Sequence, residues 1–227
     1  MEKIRVKVCG NTRAQDIRAA DRCGADYVGV VTEVPVSRRS VTAEEAARLL
    51  GEASRAKRAM LVFNPGPERL RELVDIVRPE VVHFTGEESP PDIENLKSYF
   101  GGEVFKSVHL PPLDTETPPV DRALELIASY KEAGADKVVI DTRDTARGLW
   151  GGTGKVSDWK AAAKIVRSSP LPVFLAGGIS LSNADRAMAE VMPFGLDLAS
   201  GLEKETGCKD HELVEEFVLR VHSFSLT

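Results

Sequence analysis

Short apolar runs alternate with longer amphipathic stretches along almost the whole chain. The short runs are rich in β-branched and aromatic residues, as is typical of buried strands. Eight of them recur at a mean period of about 28 residues, and they cover residues 4–9, 26–31, 59–63, 80–84, 103–110, 137–141, 172–176 and 195–200. This spacing leaves room for a helix after each strand.

Between these runs, apolar residues recur at i, i+3 and i+4 with polar residues elsewhere, which predicts amphipathic helices. The pattern is clearest in residues 43–53, 67–77, 121–134 and 210–224. Residues of the types that cap helix N-termini precede three of the helices. These residues are Thr42, either Ser157 or Asp158, and Ser182.

Strand and helix alternate eight times, and this order predicts a parallel sheet with crossover helices. Eight such units in 227 residues match a (βα)8 TIM barrel of the α/β class, formed by a single domain over residues 1–227. An open doubly wound sheet is the alternative, but the sequence shows no obvious point at which the strand order reverses. The proline-rich stretches at 89–91 and 111–119 are predicted to be loops that enter the fourth and fifth helices.

The composition is that of an ordinary globular protein, with 42% apolar and 29% charged residues. The formal net charge of −5 argues against a nucleic-acid partner, which needs a basic face. No apolar stretch is long enough for a signal peptide or a membrane span, so we expect a cytoplasmic protein without a membrane partner. The three cysteines are scattered, which supports neither a disulfide framework nor a zinc site.

In a barrel of this kind, the chemistry is located where each strand ends and the following loop begins. A thiol, a carboxyl group, an arginine and two glycine turns occupy such positions. The strand-end residues in chain order are Cys9, 32–39, Asn64, 85–87, His109, Asp141, Gly177 with Gly178, and Ser200 with Gly201.

The glycine turns after the seventh and eighth strands, "AGGIS" and "ASGLE", indicate a phosphate site. Free backbone N–H groups in such turns form a concave nest for an anion. Barrels commonly hold a substrate phosphate at these two loops. One glycine turn alone would only indicate a tight bend, but the two turns follow neighbouring strands.

The loop after the sixth strand is long for its type and contains the sequence "GGTGK". It does not fit a nucleotide-binding P-loop, because Leu149 and Val156 occupy positions that the motif reserves for other residues. We instead expect residues 142–155 to form a lid over the site, as long glycine-containing loops often do.

Six segments together resemble one family, the phosphoribosylanthranilate isomerases of tryptophan biosynthesis. They are "KVCGNT" (7–12), "SRRSVT" (37–42), "DTRDTARGLWGGTGKVSDW" (141–159), "LAGGIS" (175–180), "DLASGLE" (197–203) and "CKD" (208–210). At the end of the fourth strand the family typically has Gln-Leu-His-Gly, whereas this chain has "HFTG", with His83 and Thr85.

The resemblance implies an Amadori rearrangement of N-(5'-phosphoribosyl)anthranilate to 1-(2-carboxyphenylamino)-1-deoxyribulose 5-phosphate. It implies that Asp141 is the general acid and Cys9 the general base. To act as a base, the thiol of Cys9 must ionise to the thiolate, and a nearby cation would favour this ionisation. Arg39 would position the substrate near its anthranilate carboxylate. The phosphate would be held by Gly177, Gly178, Ser200 and Gly201. No metal or organic cofactor is expected, because the amine of the substrate supplies the electron sink. The protein would be a monomer or a homodimer.

Two other functions stay open at this point. The related aminoaldose isomerase of histidine biosynthesis performs the same rearrangement, although it uses two aspartates and needs a second phosphate nest. A non-catalytic barrel that binds a sugar phosphate is the other alternative. Cys23 and Cys208 are expected to be small buried hydrophobes. The ring of His83 could lie inside the barrel or behind a helix, and the other histidines are expected to be structural or exposed.

Overall fold

A closed barrel of eight parallel strands forms the centre of the computed structural model, which describes residues 3–110, 120–144, 149–150 and 158–225. Each predicted strand is present. The strands are β1 (Arg5–Val8), β2 (Tyr27–Thr32), β3 (Lys57–Val62), β4 (Val81–Phe84), β5 (Glu103–Leu110), β6 (Lys137–Asp144), β7 (Val173–Leu175) and β8 (Gly195–Leu198). Because β1 pairs with both β2 and β8, the sheet closes on itself and the open-sheet alternative is wrong.

One α-helix follows each barrel strand and packs on the outside of the sheet. The helices are α1 (Ala14–Cys23), α2 (Ala43–Leu50), α3 (Pro67–Val77), α4 (Pro90–Lys97), α5 (Val120–Glu132), α6 (Trp159–Ser168), α7 (Ala184–Val191) and α8 (His211–Ser223). Their apolar faces and the outward residues of the strands form the larger apolar core. The (βα)8 TIM barrel is therefore confirmed. Among the described helices, none has the length and apolar character needed to cross a bilayer.

Two strand ends differ from the prediction. β6 continues past residue 141 to Asp144, where its last residues pair antiparallel with Leu149–Trp150. β8 ends at Leu198, and Ser200–Leu202 form a short 3₁₀ helix instead. Further short strands lie near the loops: Ser40–Val41 beside β2, and Glu203–Glu205 paired with Cys208–Lys209.

The predicted helix caps hold at two of three positions. The Thr42 side chain accepts a hydrogen bond from the backbone at the start of α2, and Asp158 does so at α6. Ser182 is not the cap of α7, because the cap position is Asn183. The amide of Asn183 bonds the preceding loop, accepting from the Ser180 N–H at 2.9 Å and donating to the Gly178 carbonyl at 2.9 Å.

The proline-rich stretch at 89–91 is not wholly a loop. Ser89 and Asp92 form a reciprocal capping box, and Pro90 is the first residue of α4. Proline suits this position, because the first turn of a helix needs no internal N–H donor. The second stretch, 111–119, lies outside the described residues.

The barrel interior changes character from one end to the other. At the amino end of the strands, the rings of Tyr27, Phe105 and Phe174 pack against one another with centroids 5.4–5.6 Å apart, and Tyr27 meets the other two edge to face. Nearer the carboxyl end, the interior contains buried polar side chains, among them Lys7 and Asp197. The aromatic layer is the floor beneath the cavity described next.

Candidate active site

A cavity of about 450 Å3 opens at the carboxyl end of the strands. All the residues that the sequence analysis proposed for catalysis and substrate binding line it. They are Cys9, Arg39, Asp141, Gly177, Gly178, Ser200 and Gly201. Closure of the barrel brings them together, because the parallel strands all end on the same side.

Cys9 directly follows β1 and is held there by a hydrogen bond from its N–H to the Leu198 carbonyl, at 2.7 Å. Its side chain lies in the barrel interior, where Gly29 leaves room for the sulfur. A Cβ atom at position 29 would lie only 2.9 Å from Sγ. Burial raises the pKa of the Cys9 thiol above its ordinary value, while the Lys7 and Lys209 ammonium groups act in the opposite direction.

A buried polar network lies next to Cys9. Lys7 Nζ donates to Asp197 Oδ2 at 2.7 Å and lies 3.4 Å from His83 Nδ1. His83 Nε2 lies 3.0 Å from the hydroxyl oxygen of Ser107. The ring of His83 is therefore inside the barrel, which settles the two positions that the sequence left open for it.

Asp141 lines the cavity from β6, beside His109 of β5 in the sheet register. It is partly buried. Since β6 continues to Asp144, Asp141 lies within the strand and not at its end. A strand holds a side chain more rigidly than a loop does, so the carboxyl group of Asp141 has a defined position in the cavity.

Arg39 reaches the cavity from the loop after β2 and is already paired. Its Nε and Nη2 donate to the two carboxylate oxygens of Glu203, at 2.8 and 2.7 Å. Lys209 also donates to Glu203, at 2.9 Å. The Arg39 side chain passes directly over Gly10, and a larger residue there would block it, because a Cβ atom on Gly10 would lie 2.6 Å from Arg39 Cδ. The bidentate pair fixes the plane of the guanidinium. It uses Nε and Nη2, and Nη1 takes no part in the pair with Glu203.

The two glycine turns lie side by side at the carboxyl ends of the neighbouring strands β7 and β8. Gly177 and Gly178 have φ angles of 80° and 65°, in the left-handed region that favours glycine. Within the part of the chain that the structure describes, their N–H groups have no backbone acceptor. The second turn packs directly on the first, since a Cβ atom on Gly201 would lie 2.0 Å from the Ile179 carbonyl oxygen. The arrangement can accept a phosphate.

The predicted lid, residues 142–155, lies largely outside the described residues, so it stays a prediction. No group of three or more His, Cys, Asp or Glu side chains suited to a metal ion occurs within the described ranges. Cys208 is buried as expected, whereas Cys23 is only partly buried against the outer core. His211 has a structural role, since its Nε2 lies within hydrogen-bond distance, 2.8 Å, of Asp16 Oδ1.

Four charged residues around the site were not predicted from the sequence: Lys7, Asp197, Glu203 and Lys209. A signal was present for one of them. Side chains alternate along a strand, so if Cys9 faces the barrel interior, Lys7 two residues before it faces the same way. The other three could not be located without knowing how β8 and the loop after it meet β1.

Comparisons with known proteins agree on one family. A family model described as N-(5'phosphoribosyl)anthranilate (PRA) isomerase matches residues 6–220. The N-(5'-phosphoribosyl)anthranilate isomerase of Halorubrum lacusprofundi is 38% identical over 216 residues, or 94% of each chain. That of Methanopyrus kandleri is 39% identical over 220 residues, covering 95% of this chain and 97% of the relative.

The fold comparison gives the same result. A phosphoribosyl anthranilate isomerase solved in complex with reduced 1-(o-carboxyphenylamino)-1-deoxyribulose 5-phosphate superposes with a TM-score of 0.77. The two chains are 26% identical, and the match covers 97% of this chain and 100% of the other.

Proposed function

Since this chain belongs to the N-(5'-phosphoribosyl)anthranilate isomerase family, we propose that Cys9 and Asp141 are the general base and general acid of its isomerisation. The observation that carries this proposal is the single cavity lined by both side chains and by the two glycine turns. The reaction needs one group that gives a proton and one that removes a proton, and the cavity offers a carboxyl group and a thiol.

The reaction begins with two proton transfers, and a tautomerisation completes it. Asp141 protonates the ring oxygen of the ribose, the ring opens, and the aniline nitrogen becomes part of a Schiff base. Cys9, as the thiolate, then removes the proton from C2'. The electron pair of the broken C–H bond moves towards the Schiff base to give an enolamine, which tautomerises to the ketone.

The remaining cavity residues hold the two charged ends of the substrate. The phosphate lies against the N–H groups of Gly177 and Gly178 and the turn at Ser200–Gly201. Arg39 receives the anthranilate carboxylate through Nη1, because Nε and Nη2 bond Glu203. Binding at two ends places C2' between the acid and the base, and this positioning lowers the entropic cost of both transfers.

The test follows the loss of substrate fluorescence with purified protein. Cys9→Ala and Asp141→Asn should each lower kcat by roughly 10²–10⁴, the usual worth of one proton-transfer group. The affinity for a product analogue should change little, because the phosphate and carboxylate contacts are elsewhere.

Serine replacements provide the matched comparison. Cys9 and Cys208 are both free and both 6% exposed, so Cys9→Ser and Cys208→Ser make the same change at two buried sites. Cys9→Ser should lose most of its turnover, since a hydroxyl ionises far less readily than a thiol. Cys208→Ser should keep it. A near-normal kcat in Cys9→Ser would refute the role of the thiol.

A further inference from the structure

Lys7 is a charged side chain near Cys9 to which the proposed mechanism gives no task. It is fully buried in the barrel interior. A buried ammonium is costly unless it is paired, and a methionine would fill the same space without that cost. Its partner is Asp197, which is its neighbour in the register between β1 and β8 and is also buried.

Two of the three N–H donors of Lys7 have an acceptor within hydrogen-bond distance. One goes to Asp197 Oδ2 at 2.7 Å, and one faces His83 Nδ1 at 3.4 Å. Cys9 follows two residues later on β1, so its buried side chain lies on the same face of the strand as Lys7, and the positive charge of Lys7 favours the thiolate. Burial lowers the pKa of Lys7, but Asp197 and Cys9 raise it by more, so the ammonium stays charged.

His83 acts as a neutral acceptor in this arrangement. Burial lowers the pKa of its imidazole well below the ordinary value, and the charge of Lys7 lowers it further. Because Lys7 can only donate, Nδ1 must accept, and the ring proton is then on Nε2, facing Ser107. His83 therefore helps to hold the ammonium without adding a charge next to Cys9.

The other charges near Cys9 largely cancel. Arg39 and Lys209 share the carboxylate of Glu203. Asp197 opposes ionisation of Cys9, but its effect is smaller than the favourable effect of Lys7. Asp197 binds Lys7 through Oδ2, and Oδ1 has no hydrogen-bond partner among the described residues.

We propose that Lys7 is a positioning residue whose buried ammonium stabilises the thiolate of Cys9 from two residues away on the same face of β1. The proposal rests on the role of Cys9 given above. Lys7 keeps its protons throughout the reaction. As the C2'–H bond breaks, an S–H bond forms at Cys9, and the electron pair of the C–H bond moves into the substrate.

The test measures how readily Cys9 ionises, without using turnover. The protein is treated with iodoacetamide over a range of pH, and mass spectrometry of the Cys9 peptide gives the alkylation rate. Only the thiolate reacts, so the midpoint of the rate against pH reports the pKa of Cys9. Lys7→Met should move this midpoint upwards by about one unit or more, as expected for loss of an adjacent opposite charge.

Lys106→Met is the matched control. Lys106 is also a buried lysine, paired with the buried carboxylate of Glu88 at 3.1 Å, and it does not line the cavity. Both variants remove the ammonium partner of a buried carboxylate, and Glu88 keeps hydrogen bonds from the backbone N–H groups of Asn64 and Gly86. Only Lys7→Met should move the Cys9 midpoint. An unchanged midpoint in Lys7→Met, or an equal shift in Lys106→Met, would overturn the proposal.

A double variant covers the case in which Lys7→Met does not fold. Replacing a buried ion pair by apolar residues often preserves stability, so the second protein carries Lys7→Met with Asp197→Leu. Its midpoint should still rise, by less than in the single variant, because Lys7 acts on Cys9 more strongly than Asp197 does. A midpoint that is unchanged or lower would refute the proposal.

Turnover separates this proposal from the proposed function. In the active wild-type protein, the acidic limb of kcat/KM against pH should move with the alkylation midpoint when Lys7 is replaced. If the wild-type protein had no isomerase activity, the proposed function would fail, while the alkylation midpoints would still show whether Lys7 stabilises the thiolate.

Discussion

The ion pair between Arg39 and Glu203 gives the sharpest prediction apart from the proposed acid and base. Two cations share one carboxylate, since Arg39 donates twice to Glu203 and Lys209 donates once. The side chains of Glu203 and Lys209 are 4% and 0% exposed, and that of Arg39 is 17% exposed. Glu203→Gln keeps the shape of the side chain, removes its charge and leaves both cations uncompensated.

The expected loss of stability follows from this burial. Removing one partner of a buried pair costs about 3–5 kcal/mol. Arg39 reaches some solvent, and glutamine keeps one acceptor oxygen, so we expect a loss of about 2–4 kcal/mol. Urea unfolding should show a lower midpoint with an unchanged slope. With Arg39 no longer held in one orientation, KM for the substrate should rise by about tenfold, and kcat should fall less.

The pH dependence of stability has a definite sign. Burial alone would raise the pKa of Glu203, but Arg39 and Lys209 lower it below its ordinary value. The carboxylate therefore stabilises the fold at pH values above the unfolded pKa of about 4.3. This contribution is lost as the pH falls through the lower folded pKa. In Glu203→Gln, that part of the acid dependence should disappear.

The control is the bidentate pair between Arg220 and Asp185 on the surface. Its hydrogen bonds, at 2.9 and 2.6 Å, match those of the buried pair, but the side chains are 46% and 50% exposed. Exposed pairs contribute little, so Asp185→Asn should leave the unfolding midpoint and KM almost unchanged. Equal losses in Asp185→Asn and Glu203→Gln would show that burial of Glu203 does not matter, and the reasoning would be wrong.

Three further changes test other parts of the barrel. Gly29→Ala should cost about 1–3 kcal/mol of stability and reduce kcat, because its Cβ would lie 2.9 Å from the Cys9 sulfur; unchanged turnover would contradict the packing. Below about pH 6.5, the stability of the wild-type protein should fall, because His83 takes up a proton only when unfolded. The variant His83→Gln should flatten that slope in unfolding measured from pH 5 to pH 7, about the range of histidine ionisation. Gly201→Ala should displace the turn proposed to bind the phosphate, and calorimetry should show at least about tenfold weaker binding of a product analogue. Gly101→Ala should leave this binding unchanged, because nothing lies within 4 Å of the new Cβ atom.

The local pattern of apolar and polar residues was sufficient to predict the architecture of this protein. The apolar runs and the amphipathic stretches between them predict eight strands and the helices that follow them, since both periodicities are read within one element. Once the strands are parallel and the barrel is closed, their ends must lie together. This is why Cys9, Asp141 and Gly177 could be assigned to one site from their positions alone.

The charged surroundings of the site could not be read from the sequence, because they depend on contacts between distant parts of the chain. Lys7 and Asp197 are 190 residues apart, and Arg39 and Glu203 are 164 apart. The first pair forms only because closure places β1 beside β8 in a particular register. The second forms only because the loop after β2 crosses Gly10 to reach the strand that follows β8. The sequence by itself determines which residues lie near the carboxyl ends of the strands, although the ends of β6 and β8 differ from the prediction. The tertiary structure decides which charged side chains pair around them, because an ion pair depends on distance in space and not on separation along the chain.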